Sequence, residues 1–354
     1  MSRFFFVALI FLICGCANGV KNSGNMILSL SIDHLSSFRL VENDTIKIGK
    51  VDEVCIDDSS RIWIADAISG KVFVYDTLGN IIHKFLSKGE GPGEIYRPVG
   101  ISVSPKHFVI LESFSSIKFF HRHNGRYIRQ IFLKENQYGI IHGTIKILND
   151  NLICISINDN NLSHPLILVD TIGNIVSKFG EFPIEYKDYI LPQEQRFDVN
   201  RQGLYAVCFS QSPAIWIGKP YAFDKNLHSF SDFRYLYISP KRKRETTNSS
   251  ENISLISSER FNTKLFWIND SLIAVSSEVI TEESMKKRIF SLREHFLTFF
   301  CINQNSFSVE RIQEFKVKGR IQGKVSENTF LIEESDEPDN RRFGLYKINI
   351  EPVK

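Results

Sequence analysis

The chain has 354 residues, with 43 Lys and Arg against 40 Asp and Glu and a formal charge of +3. A balance this close to neutral excludes the strongly basic face that marks a nucleic-acid partner. The length exceeds the about 100–200 residues of one ordinary domain, yet it suits a single closed architecture built from repeats.

From the N-terminus, Arg3 precedes an apolar run over residues 4–13. The run is too short for a bilayer-spanning helix of about 20 residues and has the length of a secretory h-region. It ends in Ile13-Cys14-Gly15-Cys16, which resembles the lipobox of bacterial lipoproteins. That resemblance implies a signal peptide over residues 1–15, acylation of Cys16 and residence in the cell envelope. Ala17 in place of Asp implies the outer membrane, with the periplasmic or surface-facing side left open. Residues 16–27 then form a small, polar, flexible tether, and residues 28–354 the folded body.

The body is repetitive. Asp76-Thr77-Leu78-Gly79-Asn80 and Asp170-Thr171-Ile172-Gly173-Asn174 each sit between apolar, strand-like runs, and a degenerate copy turns at Gly125. Glycines at 79, 125 and 173 fit the period of a four-stranded propeller blade of about 40–50 residues. In the first blade, runs rich in Ile, Val, Phe and Tyr are bounded by Asp, Ser, Gly and Asn, which favours four strands, a to d, over helices. The Asp of each motif bonds the turn backbone while Gly takes the left-handed conformation, so the motif is turn chemistry. Blades four and five place the equivalent c–d turn at Asp224-Lys225-Asn226 and Asn303-Gln304-Asn305, because Asn also tolerates that region. Blade six shows strands near Ile321, Phe330 and Tyr346 but lacks a fourth. The N-terminal segment, around Phe38-Arg39-Leu40-Val41 or Ile46-Lys47-Ile48, is expected to supply it and close the ring. The predicted fold is therefore all-β, a six-bladed β-propeller.

The connector Gly89-Glu90-Gly91-Pro92-Gly93-Glu94-Ile95-Tyr96-Arg97-Pro98, taken with Arg61-Ile62-Trp63-Ile64-Ala65-Asp66 and the Asp-Thr-Leu-Gly-Asn turn, resembles the NHL-type and TolB-like six-bladed propellers of Bacteroides-like lipoproteins. The resemblance implies fold and address; no activity is generally assigned to such members. The glycines do not make a phosphate loop, since Glu94 stands where a third glycine belongs. His121 and His123, two apart near a turn, could share one face but match no compact metal-ligand spacing. Cys55, Cys154, Cys208 and Cys301 read as buried free thiols. The basic run Lys241-Arg242-Lys243-Arg244 reads as a solvated loop.

Insertions carry the functional signal. The long connections, residues 180–196, 240–260, 278–295 and 333–344, all belong to the b–c or d–a class, which shares one face of a propeller. The third contains Met285, Ile289, Leu292 and Phe296 at helical spacing, which predicts one inserted amphipathic helix over residues 282–295. Ligand or partner contacts are thus expected on this face, at Glu94, Tyr96, Arg97, Met285 and Arg288. The expected function is a lipid-anchored binding or scaffold module with a protein, peptide or glycan partner and without cofactor or metal. A metal-dependent hydrolase or lyase like the gluconolactonase-like propellers is the alternative, and would require Asp, Glu, Asn or His side chains converging on the axis.

Overall fold

The computed structural model describes residues 28–43, 46–49, 51, 53–113, 116–133, 143–157, 164–183, 194–210, 212–220, 227–228, 260–279, 293–303, 309–335 and 341–352. Among them every regular element is a strand. After β1 (Leu28–Arg39), blade one comprises β2 (Glu53–Ile56), β3 (Ile62–Asp66), β4 (Lys71–Tyr75) and β5 (Ile81–Phe85). A two-stranded parallel ribbon, β6 (Ser87–Lys88) and β7 (Glu94–Ile95), leads to blade two: β8 (Pro98–Val103), β9 (His107–Glu112), β10 (Ser116–His121) and β11 (Tyr127–Phe132). Blade three holds β12 (Ile145–Ile147), β13 (Leu152–Ser156), β14 (Leu166–Asp170) and β15 (Ile175–Phe179). Blade four holds β16 (Gln195–Val199), β17 (Tyr205–Phe209), β18 (Ser212–Gly218) and β19 (Leu227–His228). Blade five holds β20 (Arg260–Asn269), β21 (Leu272–Val279), β22 (Glu294–Ile302) and β23 (Val309–Val317). Blade six adds β24 (Arg320–Ser326), β25 (Thr329–Ser335) and β26 (Arg342–Pro352).

Each blade is an antiparallel meander, and the order β24-β25-β26-β1 makes the N-terminal strand the outer strand of blade six. Closure thus follows the expectation, with a strand that includes the expected Phe38 and Arg39 but extends N-terminally from them rather than through Leu40, Val41 or residues 46–48. The strand begins at Leu28 and ends at Arg39, while Ile46 forms only an isolated bridge with Asn43. Its first half alternates Leu28, Leu30 and Ile32 with polar residues, the period-two pattern of a strand with one buried face. Leu30 is buried between blades five and six.

Both faces of every blade are covered by neighbours, so inner and middle strands read as continuous apolar runs; β3 is buried at all five positions. The outer strands β5 and β15 alternate instead. Six hydrophobic layers separate the six blades. Trp63 and Phe108 meet between blades one and two, Ile131 and Ile167 between two and three, and Phe179 and Trp216 between three and four. Ile217 and Phe300 lie between four and five, Phe299 and Phe330 between five and six, and Phe343 and Phe73 between six and one. Each fully buried Phe or Leu side chain contributes about 1.5–3 kcal/mol, so a ring missing one layer would lose many such contacts at once.

The turn motif folds as its residues dictate. Asp76 Oδ1 accepts from the N–H groups of Leu78 and Asn80 at 2.8 Å each, and Gly79 has φ of 86°. Asp170 repeats this with Ile172 and Asn174 around Gly173 at φ 92°. Residues 282–292 of the predicted helix lie outside the described residues. Its expected C-terminal end is corrected: Glu294, His295 and Phe296 belong to strand β22, where His295 and Phe296 each pair with both β21 and β23.

Candidate functional site

Strand order divides the surface into two faces. The a–b turns at 57–61, 104–106, 148–151, 200–204, 270–271 and 327–328 are short, as are the c–d turns around Gly79, Gly125 and Gly173. The opposite face receives the b–c and d–a connections, including the longest, residues 180–194, 229–259 and 280–293, and is the candidate interaction face.

A buried polar group at or near the end of each b strand organises this face. In blade one Asp66 accepts from the Gly49 N–H at 2.8 Å; in blade two Glu112 accepts from the Tyr96 N–H at 2.9 Å. The Ser156 hydroxyl accepts from the Thr144 N–H at 2.8 Å, and the Ser210 hydroxyl accepts from the Glu194 N–H at 3.2 Å. In blade five Glu278 accepts from Arg293 at 2.7 Å and from Arg320 at 3.1 Å, and in blade six Glu333 accepts from Gln322. Burial raises the Glu278 carboxyl, but Arg320 and Arg293 outweigh it and hold the group below the usual carboxylate range. Chain entering an inner strand carries backbone N–H groups with no ladder partner, and a buried donor left unmade is costly. Asp66, Glu112, Ser156 and Ser210 satisfy that need where the chain crosses from rim to axis, while Glu278 and Glu333 take side-chain donors instead.

The blade one to two connector shows the latch most fully. Lys118 is buried, pairs with Glu112 at 3.2 Å and donates to the Glu94 carbonyl at 2.8 Å. The Ser113 N–H donates to the Arg97 carbonyl at 3.1 Å. Glu94 turns its carboxylate inward to accept from the Gly91 N–H at 2.9 Å, so it shapes the glycine-rich loop from within. Tyr96 and Arg97 instead remain exposed, with the guanidinium 6.0 Å from the ring centroid. They stand immediately before inner strand β8, at the mouth of the axis. Met285, Arg288 and Cys16 lie outside the described residues.

The axis itself carries an ion network that inspection of single strands did not reveal. Glu53, the first residue of β2, accepts from Arg196 of the opposite blade at 3.2 Å and from Lys264 of blade five at 2.9 Å. Arg196 also donates to Glu194 at 2.8 Å. These groups occupy the long-loop end. Further along, Lys146 of blade three pairs with Asp198 of blade four, Asp198 accepts from the Trp267 N–H at 2.9 Å, and Lys324 of blade six donates to the Trp267 carbonyl. Burial lowers the Lys324 ammonium from its ordinary value. Lys146 and Asp198 interrupt apolar inner-strand runs, as in Ile145-Lys146-Ile147, whereas Arg196, Lys264 and Lys324 each adjoin a polar residue or glycine and Glu53 stands at a strand's start. That interruption was the available signal, but only the ring shows that these positions converge.

Other groups singled out by sequence have structural partners. His121 closes β10, faces His107 at a ring-centroid distance of 5.9 Å and bonds Arg126 at 3.1 Å, while His123 lies in the turn beyond, so the two do not share a strand face. The thiols of Cys55, Cys154, Cys208 and Cys301 are free, and burial pushes Cys55 up to about 11, so it stays protonated at neutral pH. Cys55 and Cys301 are half-buried, less enclosed than expected. On the short-turn face Asp57 accepts from Arg61, Trp63 and Arg122, each at 2.8 Å. These bonds overcome the cost of burial and lower its pKa.

Residues 18–133 match the DUF5128 family model, described as a 6-bladed beta-propeller. No curated protein matches the sequence. Among solved structures, the chain is similar to a member of the DUF4221 family from Bacteroides vulgatus, with a TM-score of 0.61 and 13% identity over 92% of this chain and 99% of that one. It is also similar to a candidate exported protein from Bacteroides fragilis, with a TM-score of 0.55 and 11% identity over 93% and 96% of the two chains. At such identities the likeness shows a shared frame, and one frame hosts many functions.

Proposed function

We propose that this protein is a lipid-anchored binding or scaffold propeller of the cell envelope, held by Cys16 at the outer membrane and meeting a protein, peptide or glycan partner through its long-loop face. The observation that carries this reading is the contrast between the faces. One carries, among the described residues, tight, self-bonded turns. The other gathers the longest connections around a charged axial mouth, with Tyr96 and Arg97 exposed on a connector whose backbone is pinned by buried Glu112 and Lys118. Tyr and Arg are the side chains that most often anchor interfaces, and a pinned backbone lowers the ordering cost of binding. The connection bearing Met285 and Arg288 belongs to the same face. An envelope address is supported by the Ile-Cys-Gly-Cys tetrad and by the similarity to a candidate exported protein.

The axial chemistry favours binding over the hydrolase or lyase alternative. The axial carboxylates Glu53 and Asp198 are already held by Arg196, Lys264 and Lys146, and cations so placed disfavour a divalent metal there. Metal analysis of the purified full chain tests this choice. No stoichiometric divalent metal is expected; one ion per chain, lost on substitution of Glu53 or Asp198, would favour the enzyme.

A further inference from the structure

We infer that the outer edge of the short-turn face, around blades one to three, is a lipid-contacting surface; this rests on the lipid-anchor reading above and gives the anchored protein an orientation. The chain ends locate the membrane side. Leu28 pairs with Pro352, so the break in blade six occupies the position that a c–d turn fills in the other blades. The tether therefore leaves at blade six, on the same short-turn face that bears Gly79, Gly125 and Gly173 and next to blade one. Fully extended, residues 17–27 reach at most about 40 Å, so the short-turn face is the side from which the acylated cysteine is tethered.

The outer edge of that face also carries apolar side chains that face solvent. The three most exposed large apolar side chains among the described residues are Leu78 (73%), Ile172 (66%) and Phe132 (63%); the first two are on it, and Phe132, at the far end of β11 opposite Ser116, reaches it only against the neighbouring blade three turn. Leu78 and Ile172 are the tips of the two near-identical turns. Phe132 ends β11 against the blade three turn, where a Cβ on Gly173 would stand 2.8 Å from the Phe132 carbonyl oxygen. The repeat continues along the outer strands, with Ile82 and Lys84 in blade one matched by Val176 and Lys178 in blade three, all four exposed. A turn structure requires Asp, Gly and Asn at these motifs, but it does not require an aliphatic tip, nor an aliphatic residue and a lysine beyond it. Apolar tips flanked by lysines suit a bilayer interface, where the tips enter the acyl boundary and the ammonium groups meet anionic headgroups. The long-loop face then points away from the membrane, toward any partner.

The test uses acylated full chain in vesicles of phosphatidylethanolamine and phosphatidylglycerol, with an environment-sensitive fluorophore on Leu78→Cys, Ile172→Cys or, on the opposite face, Arg97→Cys. Unsubstituted protein reports background labelling of native thiols. Headgroup-proximal spin-labelled lipid should quench the fluorophore at 78 and 172 at least about threefold more than at 97, as expected for side chains at the acyl boundary. Equal quenching, or stronger quenching at 97, would overturn the orientation even if Cys16→Ser releases the protein. Retention of Cys16→Ser on washed membranes would instead defeat the anchor reading, whatever the quenching pattern.

Discussion

Glu53 and Arg196 belong to opposite blades, are separated by 143 residues in sequence, and meet at 3.2 Å across the propeller axis. The same carboxylate accepts from Lys264, so one side chain joins blades one, four and five. Glu53→Ala would remove the carboxylate shared by two largely buried cations, leaving Arg196 with Glu194 alone. Breaking a fully buried pair costs about 3–5 kcal/mol; partial solvent access lowers the expectation to about 2–3 kcal/mol. Glu53→Gln, which keeps an acceptor, should lose less. Chemical denaturation checks this, and an unchanged midpoint for Glu53→Ala would show that the network carries no stability.

Two glycines provide an internal comparison of ring closure. Gly79 and Gly203 both have positive φ, 86° and 73°. A Cβ at 79 would stand 2.0 Å from the Arg39 carbonyl oxygen of the closing strand, whereas one at 203 meets nothing within 4 Å. Gly203→Ala should therefore cost only the left-handed penalty of about 1–2 kcal/mol. Gly79→Ala should cost clearly more and lower the melting temperature further. Equal losses would mean that β1 is not seated against the blade one turn.

Acid should destabilise the fold. Glu278 and Glu334 are buried, which opposes ionisation, yet their hydrogen bonds and neighbouring cations hold both carboxyls below the ordinary value of 4.5. Asp57 is likewise held below 3.8. The unfolded chain therefore binds more protons as pH falls through that window. The stability from these groups is complete above about pH 5 and is lost as pH drops through the folded values. Melting temperature at constant ionic strength should fall between pH 5 and about pH 3; a flat or rising profile would contradict these partnerships.

Cys16→Ser should release soluble, folded protein, because stable anchoring takes more than one acyl chain and the multiply acylated cysteine would be lost. Membrane fractionation with salt and carbonate washing reads the outcome. Retention of the variant would show that another contact holds the protein.

The architecture was legible where turn chemistry repeats. Asp76, Gly79, Asp170 and Gly173 name their own conformations, and they place blades one to three. The closing strand was located only at its C-terminal end, Phe38-Arg39, because residues 33–37 are exposed and, Leu35 apart, polar, so only Leu28, Leu30 and Ile32 show alternation. The axial network was not legible, since Lys146 or Lys264 in isolation looks like any strand lysine. Ring geometry alone brings such positions together from blades that share no local sequence. Glu94 shows the converse: the connector drew attention through its glycines, but its carboxylate serves the loop while Tyr96 and Arg97 face outward.

The most direct measurement of the proposed function is site-specific photo-cross-linking in intact cells, with the photoreactive residue at Tyr96 on the long-loop face or at Lys106 on the short-turn face. Lys106 is well exposed, so both positions can report. Position 96 should give a discrete adduct of higher mass, and position 106 should give none. An adduct from 106 with none from 96 would place the interaction surface on the opposite face and contradict the account.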